Sequence, residues 1–193
     1  MKDLHRLFIA INLPENLRRY LADFSLQWPD LPAKWAKAEN LHITLNFLGN
    51  ANEEEVCEIC QTAIEIARRH DPFEISLDRI VYGPPEKVPP KMVWAIGEKS
   101  REIGSLQKDL ESSLFEFCGA KYQPEENYAF APHITLARLA QTGLRQMEIE
   151  EIPAINEKIS KVFMVDSIEV MESELKRGGP VYNILESAKL GNF

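Results

Sequence analysis

His42 and Thr44 stand two residues apart in "LHITLNFLG", and His133 and Thr135 repeat that spacing in "PHITLARL" 91 residues later. Imidazole titrates near neutral pH and can give or take a proton. A neighbouring hydroxyl can donate to a phosphate oxygen. In a strand, residues i and i+2 share a face, roughly 7 Å apart. Each motif therefore offers an acid–base group beside a hydroxyl, with Ile43 and Leu45, or Ile134 and Leu136, turned the other way into a core. With so few His and Thr in the composition, a chance duplicate is expected in on the order of one shuffled sequence in ten thousand.

Two such motifs across a two-fold axis suit displacement at phosphorus, where the entering and leaving oxygens lie roughly in line. One His can deprotonate water on one side and the other can protonate the leaving oxygen on the far side. The two Thr can hold the non-bridging oxygens. The symmetry of the repeat does not decide which His is acid and which is base.

No metal is expected in this chemistry. Neither motif has a second His, Cys or carboxylate at ligand spacing, and His5 and His70 belong to no pattern. Cys57 and Cys60 form a C-x-x-C inside "EEEVCEICQTAIEIARRH", where apolar residues recur at helical spacing, so both are expected to pack in the core as small hydrophobes. Cys118 makes the count odd, which argues against a disulfide framework.

The elements that must position the motifs follow from periodicity. "RLFIAINL" (6–13) predicts a buried strand, and Pro14 opens a helix to about Leu26. "AKWAKAEN" is a short strand or link, and "LHITLNFL" is a strand. "GNANEEEV" starts a long helix ending near His70, with acidic residues in its first turn. "PFEISLDRIVY" is a strand, "GPPEKVPPK" a proline-rich loop, and "MVWAIG" a strand. Residues 101–118 form a helix with Ile103, Leu106, Leu110, Leu114 and Phe117 on one face. After "PHITLARL" and a polar stretch, "SKVFMVDSIEVMES" and "VYNILESAKL" read as two strands joined at "KRGGP". This order predicts an α+β fold of two pseudo-symmetric lobes, antiparallel sheet with helices outside, forming a single two-lobed domain over residues 1–193.

The formal net charge of −8 argues against wrapping extended nucleic acid, but not against gripping one phosphate locally. The N-terminal apolar run is short, contains Asn12 and lacks a small-residue cleavage pattern, and no stretch reaches the length of a membrane span. A cytoplasmic monomer without membrane association is expected.

The paired motifs in their context resemble the two-histidine phosphoesterases, and within them the RNA 2′,3′-cyclic phosphodiesterases, also called 2′-5′ RNA ligases. The likeness runs from "RLFIAINLP" through "ENLHITLNFLG", "MVWAIG" and "APHITLAR" to "GGPVYNIL". It implies a bilobal fold with the active-site cleft between the lobes. It also implies hydrolysis of the 2′,3′-cyclic phosphate of RNA ends or small nucleotides to a 2′-phosphate, with no cofactor. His42 would be the proton donor, His133 the proton acceptor, and Thr44 and Thr135 the phosphate ligands. Many relatives carry a basic residue before the proline of the second motif, where this chain has Ala131; Arg138, Lys87, Lys91 or Arg177 could compensate. Trp35 and Phe130 flank the motifs and could either stack on a base or pack in the core. The alternatives are another small cyclic phosphate or a 2′-5′ linked oligonucleotide as substrate, 2′-5′ ligation, or an RNA-end-binding module without catalysis.

Overall fold

The computed structural model describes residues 4–85, 87–118, 130–148 and 151–191, and for 116–118 the backbone alone. The expected packing of Phe117 falls outside the described side chains. The strands are β1 (His5–Asn12), β2 (Ala33–Trp35), β3 (His42–Ala51), β4 (Phe73–Gly83), β5 (Met92–Gly97), β6 (His133–Leu139), β7 (Asn156–Val165), β8 (Ser167–Lys176) and β9 (Gly179–Lys189). The helices are α1 (Glu15–Ala22), α2 (Glu53–Ala67), α3 (Arg101–Cys118) and the one-turn α4 (Gln141–Leu144). No helix among the described residues is long and apolar enough to cross a membrane.

The strands form one nine-stranded sheet in the order β7-β4-β5-β6-β3-β1-β8-β9, with β2 beside β6. Every described pairing is antiparallel. One lobe is β7, β4, β5 and β6; the other is β3, β1, β8 and β9. The lobes are not the two halves of the chain, because β4 crosses into the lobe of the second motif and β8–β9 return to the lobe of the first.

That exchange corrects the reading of "SKVFMVDSIEVMES" as one strand. The run breaks at Asp166, with β7 pairing with β4 and β8 with β1. Two strands near opposite ends of the sheet order are joined by a single residue, so the sheet must curl. Asp166 is tied in place by its carbonyl, which accepts the Leu190 N–H at 2.8 Å.

Alternation along the strands divides the sheet's two faces. Leu7, Ile9, Ile11, Ile43, Ile134, Val93, Ala95, Ile168 and Val170 join the main core. α2 packs on α3, β8 and β9 on that side, and α3 on β3. Phe8, Ala10 and Met171, with Tyr182 against them, form a small second cluster on the opposite, cleft face.

Local signals account for the helix boundaries. Asn52 caps α2 by accepting the Glu54 and Glu55 N–H groups at 3.0 and 3.1 Å, while the Glu55 carboxylate accepts the Asn52 N–H at 2.8 Å. α2 ends at Ala67, short of His70. The first helix also ends early, at Ala22, and continues to Gln27 as a 3-10 turn. The inward face of α2 is Ile59, Ala63, Ile66 and Ala67. Cys57 is exposed and only Cys60 is partly buried, which corrects the expectation that both are core residues.

Candidate active site

β3 and β6 are neighbours in the sheet, registered by the pair Ile43–Ile134. Both isoleucines are fully buried in the main core, so His42, Thr44, His133 and Thr135 all turn to the cleft face. Continuing the antiparallel register sets His42 across from Thr135, and Thr44 across from His133.

Each imidazole is fixed by the same device. The Nδ1–H of His42 donates to the Asn40 carbonyl at 2.7 Å, and that of His133 to the Ala131 carbonyl at 2.8 Å. A ring tied through Nδ1 presents Nε2 for proton transfer. The His42 Nε2 lies 3.0 Å from the Thr44 hydroxyl, which donates to it while the ring is neutral. Burial holds both imidazoles below their ordinary range. The carbonyl bonds oppose this in each, and the charge of His133 lowers His42 further, which places the two rings within electrostatic reach of each other.

Aromatic rings set the two histidines apart. Trp94 stacks on His133 with centroids 3.8 Å apart and planes 24° apart. His42 has Phe8 at 5.0 Å, tilted by 33°, and the edge of Tyr182 at 5.4 Å. Residue patterning did not single out Phe8, Trp94 or Tyr182, because an aromatic in a strand looks the same whether it faces core or cleft. Their positions two residues apart from, or paired with, cleft-facing partners are the signal that could have found them.

Arg138 reaches the cleft face through an irregularity. It lies five residues after His133, and strict alternation would put it on the opposite face. A bulge at Leu136, opposite Val93 and Trp94, shifts the alternation, so that Ala137 pairs with the buried Val93 and Arg138 with Met92. The Arg138 charge acts on the Tyr182 hydroxyl, as does that of Arg6, both lowering a pKa that burial raises. A matching bulge at Leu45 in β3 leaves Phe47, paired with Phe8, in the equivalent position, and its side chain is 70% exposed. The same spacing thus carries a cation in one motif and an exposed aromatic in the other.

The flanking aromatics lie elsewhere. Trp35 pairs with Ala137 on the core side and stacks on Trp28 at 6.1 Å and 7°. Phe130 is partly buried against the main core. Lys87 and Lys91 belong to the loop between β4 and β5, and Arg177 to the turn between β8 and β9. Among the described residues, no group of three or more His, Cys, Asp or Glu side chains is placed to hold a metal ion.

A curled antiparallel sheet with two His-x-Thr strands side by side at its centre is the arrangement of the two-histidine phosphoesterases. The LigT-like phosphoesterase family matches this chain twice, over residues 7–94 and 96–182, one motif in each match. The chain belongs to that family. A curated relative, the RNA 2′,3′-cyclic phosphodiesterase of Methanothermobacter thermautotrophicus, is 29% identical over 188 residues, spanning 96% of this chain and 98% of the relative. A crystal structure from Thermus thermophilus superposes with a TM-score of 0.83 at 30% identity, covering 97% of this chain and 100% of that one. Escherichia coli LigT complexed with 3′-AMP superposes with a TM-score of 0.78 at 26% identity, covering 98% and 100%.

Proposed function

We propose that this protein hydrolyses the terminal 2′,3′-cyclic phosphate of RNA or of small nucleotides to a 2′-phosphate. The observation that carries the reading is the pairing of two Nδ1-anchored imidazoles, His42 and His133, on one cleft face with a threonine hydroxyl beside each. The curated relative that matches nearly end to end is named for this activity.

On this reading the His133 Nε2 takes a proton from water as its oxygen attacks phosphorus. The bond from phosphorus to the 3′ oxygen breaks, and that oxygen takes the proton of the His42 Nε2, leaving a 3′-hydroxyl and a 2′-phosphate. Thr44 and Thr135 donate to the non-bridging oxygens, and Arg138 offsets the charge that builds there. Such fixed donors act where charge develops and need no reorganisation during the reaction. The negative phosphate itself favours the imidazolium that burial disfavours in the free enzyme. Both lobes supply groups, so residues 1–193 act as one catalytic domain, working as a cytoplasmic monomer.

The direct test is incubation with a 2′,3′-cyclic mononucleotide and with an oligonucleotide bearing a 2′,3′-cyclic end, with the products separated by chromatography. The expected product is the 2′-phosphate in each case. A 3′-phosphate would reverse the direction of opening, and no product from either would overturn the proposal.

A further inference from the structure

We propose that Trp94 is a positioning residue for His133, and that Gly83 exists to give its indole room. This deepens the reading above and rests on it for the role of His133 as proton acceptor. Trp94 on β5 pairs with Thr135, so His133 is its diagonal neighbour on the same face. Its ring lies nearly parallel to the imidazole at 3.8 Å. The indole is itself immobilised: Trp94 is only 8% exposed, and its Nε1–H donates to the Met92 sulfur at 3.3 Å. Behind it lies Gly83, where a Cβ would stand 2.1 Å from Trp94 Cδ2 and 2.4 Å from Cε3. Gly83, Trp94 and His133 are therefore three layers in contact, and any side chain at 83 would drive the indole against the histidine.

The contact does more than fill space. An indole face carries negative electrostatic potential and attracts a cation. His133 becomes an imidazolium as it takes the proton from water. Among the described residues, the other ionisable groups that share its face on the strands beside it are His42 on β3, Arg138 on β6 itself and Lys34, paired with Arg138 on β2; Tyr182 on β9 and Glu169, paired with Ala10 on β1, stand farther across the sheet. None of the three beside it is anionic, and the cleft-facing β5 neighbours Met92, Trp94 and Ile96 do not titrate. Among these neighbours, the Ala131 carbonyl and the Trp94 face are what favour the charged form. His42 has a wider, tilted contact with Phe8, so the two imidazoles are supported unequally.

The test needs no substrate at its first step, because imidazolium in contact with an excited indole quenches its fluorescence. The emission of the wild type should fall as pH drops through the titration of His133, and the fall should be absent in His133→Gln and in Trp94→Phe. An identical fall in His133→Gln would overturn the contact. With substrate, Trp94→Leu should lower kcat by about 3- to 30-fold, the range that a partly desolvated cation–π contact spans, with KM little changed. One limb of its pH profile should move to lower pH, since the unsupported imidazolium gives up its proton more readily. Trp94→Phe should recover part of both effects. Gly83→Ala, which touches no reacting group, should move the same limb in the same direction. Unchanged kcat and limb in Trp94→Phe and Gly83→Ala, both of which keep an aromatic core and guard against a misfolded leucine variant, would overturn the role. If the wild type fails to hydrolyse cyclic phosphate, the proposed function falls, while the fluorescence titration still decides the stack.

Discussion

Ile43 and Ile134 face each other across the junction of β3 and β6, where the two lobes share one sheet. Because this pair points into the core, the residues on either side of each isoleucine must point into the cleft. Each histidine thereby meets the threonine of the other motif. The candidate active site is a consequence of one backbone register between two otherwise separate hairpin systems, and a slip of one residue in either strand would turn that strand's histidine and threonine to the wrong face.

Thr44 and Thr135 hold phosphate in this scheme and move no protons. Thr44→Ala and Thr135→Ala should each slow turnover by roughly 10- to 1000-fold, the scale of losing a transition-state hydrogen bond. The pH profile should keep its bell. Steady-state kinetics across pH checks both points, and wild-type rates in both variants would remove the threonines from the mechanism.

The bell itself should be displaced. kcat/KM reports the free enzyme, in which one imidazole must be protonated and the other neutral. Burial lowers both from the ordinary value of 6.5, so the optimum should lie on the acid side of that value. The limbs belong to the coupled pair. A profile that is flat from about pH 5 to 9 is incompatible with two histidines sharing the work, given their near-neutral reference value.

The same depressed pKa values couple to stability. Between the lowered folded values and the ordinary value near 6.5, the unfolded chain binds protons that the native state refuses. The neutral, buried histidines therefore cost nothing above that window, and stability is lost as pH falls through it. Denaturant midpoints at about pH 7 and pH 5 should differ less in the His42→Gln, His133→Gln double variant than in the wild type, because the buried His groups that titrate over this range are gone. Equal differences would show that neither imidazole is desolvated as described.

Arg138 stands on the cleft face because of the bulge at Leu136, where its charge acts on the Tyr182 hydroxyl. Arg138→Ala should raise KM for a cyclic nucleotide by about 10- to 100-fold, the worth of a hydrogen bond to a charged group, and Arg138→Lys should restore part of it. A KM that does not move would assign phosphate charge to another group.

The two histidines differ in their expected protonation roles, and sulfur chemistry separates them. A thiolate leaves without a proton, unlike an alkoxide. A cyclic substrate with sulfur in place of the bridging 3′ oxygen should rescue His42→Ala substantially and leave His133→Ala inactive, with wild-type rates on both substrates as the control. Rescue of His133→Ala would exchange the roles.

The sequence by itself determined the pieces of this site. Alternation around His-x-Thr placed imidazole and hydroxyl on one face of a strand, because that preference is written in neighbouring residues. The capping box at Asn52 and the prolines of the loop after β4 are equally local. The reading of Arg138 as a candidate phosphate ligand came from residue type, while ordinary alternation would have turned it away.

Only the tertiary structure decided how the pieces meet. The bulges at Leu45 and Leu136 arise in pairing with β1 and β5, so no periodicity within β3 or β6 reveals them. The split at Asp166 is invisible in an uninterrupted alternating run, because what divides β7 from β8 is their different partners, β4 and β1. Trp35 beside the first motif is drawn to Trp28 and the core, while Trp94, Phe8 and Tyr182, distant in sequence, surround the histidines. A strand's own residues specify its two faces; which face becomes the cleft, and which aromatics share it, depends on strands contributed from elsewhere in the chain.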